Sequence, residues 1–259
     1  WRDTGGSGST TLHLRGLDSR ITALIEAAQP SLDYTAFEWL RRAALSDALA
    51  WDREFGRVRD VSRLGVERNL FRYRAVPVAV RATGEAPLRA LLRVAIAAIR
   101  GGGAFTLSSP IGLPAAVRRV LGEAGVTVFV ESDAEWIERF TGPAGSASSP
   151  SPDPLPSQKS SESRAESSKN RDGNGAGLLD EALAPLRPNR VRIVGAADDV
   201  ASLHAALAEA VQGDPDLAIL AGEVTTAGRI ELLPFLHEQA IAITAHRYGN
   251  PDDWSAEVI

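Results

Sequence analysis

The stretch DLAILAGEVTTAGRIELLPFLHEQAIAITAHRYGNP, residues 216–251, decides how the rest of the chain is interpreted. It holds two short apolar runs of strand composition, residues 217–220 and 240–244, with a helix-like piece at 230–236 between them. A strand, a crossover and a second strand form the unit that closes a parallel sheet. We therefore predict that both runs belong to one parallel sheet, and that the tail after them finishes this sheet or reaches onto a neighbour.

The segments upstream alternate between strand-like and helix-like patterns, which predicts an α/β fold. The predicted strands lie at residues 69–73, 76–80, 104–107, 126–130 and 191–194, and the predicted helices at 87–100, 114–124, 133–140 and 199–212. Alternation at this spacing is typical of a Rossmann-like, mostly parallel sheet with flanking helices and right-handed crossovers.

Two amphipathic helices are predicted before the sheet, one around residues 17–25 and one that starts near Ser31 or Asp33. The second is expected to bury one face, formed by Phe37, Leu40, Ala44, Leu45 and Leu49. Its charged residues, Arg41, Arg42 and Asp47, are expected on a solvated surface, and so are Arg89, Arg93 and Arg100 on the helix at 87–100.

The composition divides the chain into five parts. Residues 1–11 are predicted to be a flexible linker, 12–56 a helical segment, and 57–142 with 178–251 the Rossmann-like domain. Residues 143–177 hold one large aliphatic residue, Leu155, and are predicted to be a disordered insertion. Residues 252–259 form a tail. Because the sequence starts at Trp1 and has no methionine, we expect it to be a piece of a longer or processed protein.

Several classes of chemistry are excluded by composition. With no cysteine, the chain has no thiolate nucleophile, disulfide or cysteine metal ligand. Its two lysines, Lys159 and Lys169, both lie in the predicted insertion, so a Schiff-base or phosphate-binding lysine in the fold is excluded too. A net charge of −5 argues against a nucleic-acid partner. No apolar run approaches the ~20 residues of a membrane span, and no signal peptide is evident, so a cytoplasmic location is expected.

The motifs that resemble active sites are incomplete. Gly195 follows a predicted strand but lacks the other glycines of a dinucleotide loop, and Asp198 and Asp199 would repel phosphate there. Ser108 and Ser109 lie at the carboxyl end of a predicted strand, where such folds bind ligands. A serine nucleophile would need an ordered histidine. His204 is expected to be partly buried packing, and His237-Glu238 lacks the second histidine of a zinc helix, so no metal or catalytic site is predicted.

Three segments resemble a known superfamily. GVERNLFRYRAVPVAVR, residues 65–81, resembles the entry to an aldehyde dehydrogenase cofactor domain, and residues 99–130 resemble its next segment. ERNLFRYR, residues 67–74, and the tail GRIELLPFLHEQAIAITAHRYGNP are similar to the C-terminal region of long bacterial proline utilization A enzymes. The resemblance covers residues 57–140 and 190–251. It implies a parent with an FAD-dependent proline dehydrogenase and an NAD-dependent glutamate-semialdehyde dehydrogenase.

The departures from that pattern concern catalysis. The superfamily's cysteine nucleophile and its glutamate base have no counterpart, the cofactor-binding lysine corresponds to Ser108, and the proline-tryptophan-asparagine turn is replaced by residues 81–83. The resemblance therefore implies a domain that is not catalytic and holds no cofactor. In this family such a domain covers the upstream dehydrogenase domain, helps to seal the tunnel for the intermediate, and contributes interdomain contacts. The sequence leaves a homo-oligomer through the parent open.

A docking surface is expected on the final strand, residues 240–246, and around it, because an edge strand can add to a neighbouring sheet. Its candidate residues are Glu238, Ile241, Ile243, His246, Arg247 and Tyr248. Arginine and tyrosine are enriched at interfaces, although a simple C-terminal cap is the alternative. The alternative for the whole domain is a degenerate Rossmann fold that binds a small regulatory ligand at Ser108 and Ser109.

Overall fold

The computed structural model describes residues 17–64, 67–142, 187–244, 246–247 and 250–251. The helices are α1 (Ser19–Ala28), α2 (Tyr34–Ala50), α3 (Leu88–Gly101), α4 (Ala115–Glu123), α5 (Asp133–Thr141), α6 (Ala197–Ala210) and α7 (Gly228–Glu231). The strands are β1 (Arg59–Asp60), β2 (Glu67–Ala75), β3 (Val78–Ala82), β4 (Phe105–Ser109), β5 (Thr127–Val130), β6 (Arg190–Val194), β7 (Ala218–Leu220), β8 (Leu236–Thr244), β9 (His246–Arg247) and β10 (Asn250–Pro251). Short 3-10 turns span Gln29–Ser31 and Leu233–Phe235, and a π-helical turn spans Trp51–Phe55. The predicted linker, insertion and tail lie outside the described residues.

A five-stranded parallel sheet organises the fold, in the order β5-β4-β3-β6-β7. Every neighbouring pair in it is parallel, and the order reverses between β3 and β6, which makes a topological switch point there. All five residues of β3 are buried, as expected for the central strand of a sheet covered on both faces. The predicted α/β, Rossmann-like fold is confirmed, with β3 two residues later in the chain than the sequence pattern predicted.

Helices cover both faces of this sheet. On one face α1, α2, α3 and α4 form the larger apolar core, and on the other α5 and α6 pack around Trp136, which is 1% exposed. The helix starts follow from local chemistry, since Asp18 and Asp33 cap α1 and α2 and Ser132 with Glu135 forms a capping box on α5. Gly102 caps the C-terminus of α3, and its φ of 76° favours glycine. None of the described helices is long and apolar enough to cross a membrane.

The predicted closing unit of the parallel sheet is wrong. β7 does join that sheet, but β8 pairs antiparallel with β2 over nine residues, from Glu67 opposite Thr244 to Ala75 opposite Leu236. With β1, these two strands form a separate three-stranded sheet. The exposure of β8 alternates along its length, which is the pattern of a half-covered antiparallel strand and not of a buried parallel one.

The predicted solvated positions of Asp47 on α2 and Arg93 on α3 are wrong, and so are the predicted buried positions of Leu45 and Leu49 on α2. Asp47 and Arg93 are both 0% exposed, whereas Leu45 and Leu49 are 38% and 37% exposed. The reason is that Asp47 and Arg93 bind each other across the α2–α3 contact, with both oxygen–nitrogen distances 2.7 Å. Helical periodicity predicts that charged side chains face solvent. Only the packing of the two helices shows that such a side chain has an oppositely charged partner in the buried interface between them.

Candidate functional site

The carboxyl ends of β3, β4 and β5 meet at the edge where Rossmann-like sheets bind ligands. The side chain of Arg81, at 0% exposure, fills this edge. Its Nη1 donates to Ser108 Oγ at 2.6 Å and to the Glu131 carbonyl at 3.1 Å, and its Nη2 donates to Asp133 Oδ1 at 2.6 Å. One guanidinium therefore joins the ends of three neighbouring strands.

Glu131 extends this cluster towards the surface. Its Oε1 accepts from Ser108 Oγ at 2.5 Å, and its two oxygens accept from Arg139 at 2.5 and 2.9 Å. Burial of the carboxyl opposes ionisation, but the hydrogen bonds from Arg139 and Ser108 outweigh it and hold the pKa of Glu131 below its ordinary value. The carboxylate is thus ionised and fully engaged at neutral pH.

Trp136 covers the same cluster from α5. The Arg81 guanidinium carbon lies 5.6 Å from the centroid of the Trp136 ring, and the Phe140 ring stacks on Trp136 with the centroids 5.5 Å apart. Arginine, carboxylate and indole together occupy the space above β3 and β4. We call Arg81, Ser108, Glu131, Asp133, Trp136 and Arg139 the edge cluster.

The two serines that were candidates for a ligand site belong to this filled edge. Ser108 and Ser109 are 1% and 5% exposed. Ser108 bonds to Arg81 and Glu131, while Ser109 Oγ donates to the Ile111 carbonyl at 2.8 Å. The ligand position proposed from the sequence is therefore occupied by the protein's own side chains, and neither described hydroxyl is hydrogen-bonded to a histidine.

Sequence reasoning missed the edge cluster as a unit. It noted that Arg81 stands at a turn position, but it did not place Glu131, Asp133 and Arg139 around it. A signal was present, because an arginine in the apolar run VPVAVRA, residues 76–82, must find a carboxylate if that strand is buried. The partners lie 27 to 52 residues away, so only the parallel order of the strands brings them together.

The other half of the carboxyl edge is open. A cavity of about 700 Å³ lies beyond β6 and β7, lined in part by Gly195, His204, Arg89 and Trp39. Gly195 is needed for packing, since a Cβ there would lie 1.8 Å from the hydroxyl oxygen of Thr83. The expectation that His204 is partly buried is wrong, because the residue is exposed. No group of three or more histidines or acidic residues suited to a metal ion occurs in the described part of the chain.

Three of the predicted docking residues lie on β8, and they point to both of its faces. Ile241 and Ile243 point to the face shared with their β2 partners Leu70 and Arg68, whereas Glu238 points to the opposite face beside Tyr73. The Tyr73 hydroxyl donates to Glu238 at 3.5 Å. The backbone of His246 and Arg247 pairs with β10, and Tyr248 lies outside the described residues. Within the described part of the chain, β8 has a neighbouring strand on one side only.

Buried ion pairs hold the segment that leads into β8. Arg93, already paired with Asp47, donates through Nε to the Thr225 carbonyl at 2.8 Å. Glu231, 2% exposed, accepts from Arg192 at 2.8 and 3.0 Å and from the Thr225 amide at 3.1 Å. Burial raises the pKa of Asp47 to about 6 although Arg93 lowers it, so desolvation offsets much of what this pair gains. The main effect of these pairs is to fix the position of residues 225–231, and their net contribution to stability is small.

Comparison with known proteins gives structural likeness at low identity. No protein-family model matches the chain, and no curated protein matches it. Proline utilization A from Corynebacterium freiburgense is 23% identical with a TM-score of 0.43, and it covers 82% of this chain and 14% of its own. A variant of Bradyrhizobium japonicum proline utilization A is 13% identical with a TM-score of 0.47, covering 81% and 20%.

An NAD-dependent benzaldehyde dehydrogenase from Corynebacterium glutamicum is 12% identical with a TM-score of 0.44, covering 80% of this chain and 40% of its own. The chain thus spans a fifth or less of the proline utilization A structures described above.

Proposed function

We propose that this chain is a non-catalytic, aldehyde-dehydrogenase-like C-terminal domain of a bifunctional proline-catabolic oxidoreductase. The parent would convert proline to glutamate through pyrroline-5-carboxylate and glutamate semialdehyde, using FAD and NAD. This domain would cover the upstream dehydrogenase domain of the same polypeptide and help to seal the tunnel for the intermediate.

The edge cluster carries the non-catalytic part of the proposal. A Rossmann-like sheet binds its dinucleotide at the carboxyl edge, close to the switch point. In this chain the guanidinium of Arg81 and the ring of Trp136 fill the β3–β4 side of that edge, at 0% and 1% exposure. A cofactor on that side would have to displace the Arg81–Asp133 and Ser108–Glu131 hydrogen bonds and leave the buried charge of Arg81 without its paired carboxylate, which costs several kcal/mol.

The lack of cysteine supports the same conclusion for the chemistry. Aldehyde oxidation of the kind run by the resembled superfamily needs a thiolate, and the sequence has none. Ser108 does not replace it, because its hydroxyl donates to a carboxylate whose pKa is already low, and a low-pKa carboxylate is a weak base.

The position of β8 supports the covering role. Its edge away from β2 is unpaired in the described part of the chain, so its backbone groups are free to add to a neighbouring sheet. The ion pairs at residues 225–231 hold the start of this strand against the α/β core. A rigidly held edge strand loses little conformational entropy when it docks, which favours binding.

Coupling in the parent enzyme tests the covering role. The double variant Ile241→Asp and Ile243→Asp places charge on one face of β8, and Glu123→Lys on the exposed end of α4 serves as the matched control. We expect each of the two activities, assayed alone, to stay at the wild-type level in both variants. In the β8 variant only, NADH formation from proline should show a longer lag because the intermediate escapes. A wild-type lag in that variant would refute the covering role.

Calorimetry with the isolated 259-residue chain tests the non-catalytic role separately. We expect no heat of binding with NAD up to millimolar concentration. Arg81→Ala opens the β3–β4 side of the edge, so a binding signal that appears only in this variant would identify the edge cluster as the obstacle. Saturable NAD binding by the wild-type chain, or oxidation of an aldehyde by it, would overturn the proposal.

A further inference from the structure

A groove of about 700 Å³ runs along the outer edge of the parallel sheet, far from the edge cluster in the strand order. One wall is β7 with the residues that follow it, and the other wall is formed by residues 230–238. Since β7 pairs with β6 only, its far side has no strand beside it in the described part of the chain. We call this cavity the β7 groove.

The backbone of Ile219 faces the open side. The Ala218 amide donates to the Asn189 carbonyl at 2.9 Å, so the backbone N–H of Ala218 points towards β6. Because backbone groups alternate between the two edges of a strand, the N–H and C=O of Ile219 point away from β6. β7 is short, which limits edge-to-edge aggregation, but among the described residues the N–H and C=O of Ile219 have no hydrogen-bond partner on this side.

Apolar side chains lie exposed along the groove. Ile230 is 56% exposed and Leu233 is 46% exposed, and both line the wall opposite β7. Ile219 on the β7 wall is half-buried, and its side chain packs against the core around Trp136. The volume is within the range of binding clefts, ~300–1,000 Å³, and exposed apolar residues beside a free strand edge suit an extended segment better than a compact ligand.

The groove has a negative rim. Glu223 and Glu238 are exposed lining residues without an ion pair in the described structure. Arg192 is paired with buried Glu231, whereas Arg190 donates to the neutral carbonyls of residues 233, 234 and 236 and keeps its charge. The lining therefore carries the two carboxylates of Glu223 and Glu238 against the one charge of Arg190. The rim therefore complements a cationic partner.

We propose that the β7 groove binds an extended segment of another polypeptide, apolar in its middle and basic at its ends, that pairs with Ile219 as a sixth strand of the parallel sheet. The main chain of the segment supplies hydrogen bonds to Ile219, its alternate side chains contact Ile230 and Leu233, and its basic ends meet Glu223 and Glu238. This interaction goes beyond the proposed covering role and is independent of the edge cluster.

A peptide titration with the 259-residue chain tests the proposal. The probe is a short blocked peptide of alternating valine and threonine with lysine at both ends, followed by calorimetry. We expect saturable binding that is lost when the valine amides are N-methylated, since methylation removes strand pairing and leaves the side chains. Equal binding of the methylated peptide, or no saturable binding of the unmodified one, would overturn the proposal.

Two sets of variants locate the binding. Ile219→Pro removes the outward N–H and leaves the β6 ladder intact, so affinity should fall at least about tenfold. Glu223→Lys with Glu238→Lys should weaken the lysine-ended peptide and strengthen a glutamate-ended one, and this reversal stays readable if the proline variant fails to fold. Unchanged affinities in both sets would place the peptide elsewhere. A chain dimer that Ile219→Pro dissociates would show that the groove takes a second copy, contrary to the proposal.

Discussion

Replacing Asp47 by alanine should destabilise the fold far more than the loss of an ordinary helix residue. Asp47 and Arg93 are both 0% exposed, and each carboxylate oxygen lies 2.7 Å from a guanidinium nitrogen. After the substitution Arg93 keeps one acceptor, the Thr225 carbonyl, and its charge stays buried. Breaking a buried pair from one side costs ~3–5 kcal/mol, against a total unfolding free energy of ~5–15 kcal/mol for a typical domain.

Urea unfolding at neutral pH, followed by tryptophan fluorescence and far-ultraviolet circular dichroism, measures this effect. We expect Asp47→Ala to lower the unfolding free energy by about 4 kcal/mol with an unchanged m-value. The matched control is Asp52→Ala, since the Asp52 side chain is 71% exposed and pairs with Arg100 at 3.5 Å. That control should lose at most about 1 kcal/mol.

A double variant separates the loss of the pair from the burial of a lone charge. Asp47→Leu with Arg93→Met replaces both charges by apolar groups, and replacements of this kind are often neutral or stabilising. We expect the double variant to be several kcal/mol more stable than Asp47→Ala. The explanation by an unpaired, buried guanidinium is wrong if the unfolding free energy of Asp47→Ala lies within about 1 kcal/mol of the wild-type value, or if the double variant is as unstable as the single one.

Three further predictions concern the carboxyl edge. Because the pKa of Glu131 is lowered in the fold, its contribution to stability is present above the ordinary carboxyl pKa and is lost as the pH falls through the lowered pKa. In Glu131→Gln, the stability followed by circular dichroism should therefore fall less steeply as the pH is lowered. Gly195→Ala should cost ~1–3 kcal/mol in urea unfolding since its Cβ meets Thr83, whereas Gly84→Ala, with nothing within 4 Å, should be nearly neutral. Ser132→Ala should cost about 1 kcal/mol through the lost capping box, and no loss would refute the cap.

The parallel sheet could be predicted because the local sequence pattern of each strand and helix indicates its type. Runs such as VAVRA in β3 and RVRIV in β6 are short and apolar, and the helices between them carry apolar stripes with helical spacing. The pairing of β8 could not be predicted from its own residues. Its partner β2 lies 165 residues or more away for most pairs, and no local pattern states which sheet a distant strand joins.

The candidate site was predicted only in outline. Position in the strand order placed Ser108 and Ser109 at the carboxyl edge, which is correct. The hydrogen bonds of Ser108 depend on Arg81. The burial of Arg81 in turn depends on Glu131 and Asp133, which follow β5 in the chain. A single sequence gives the residue types at this edge but not the contacts between them, so it does not distinguish a filled edge from an open one.

The buried arginines argue for a structural role at the centre of this fold. Arg81, Arg93 and Arg192 are at most 3% exposed, and each donates to a carboxylate and to a backbone carbonyl. A guanidinium keeps its proton at any physiological pH, so such a group fixes its neighbours and does not exchange protons with a substrate. General acid–base chemistry instead needs groups whose charge changes near neutral pH. Arg81, held by Ser108 and Asp133, therefore links the carboxyl ends of neighbouring strands.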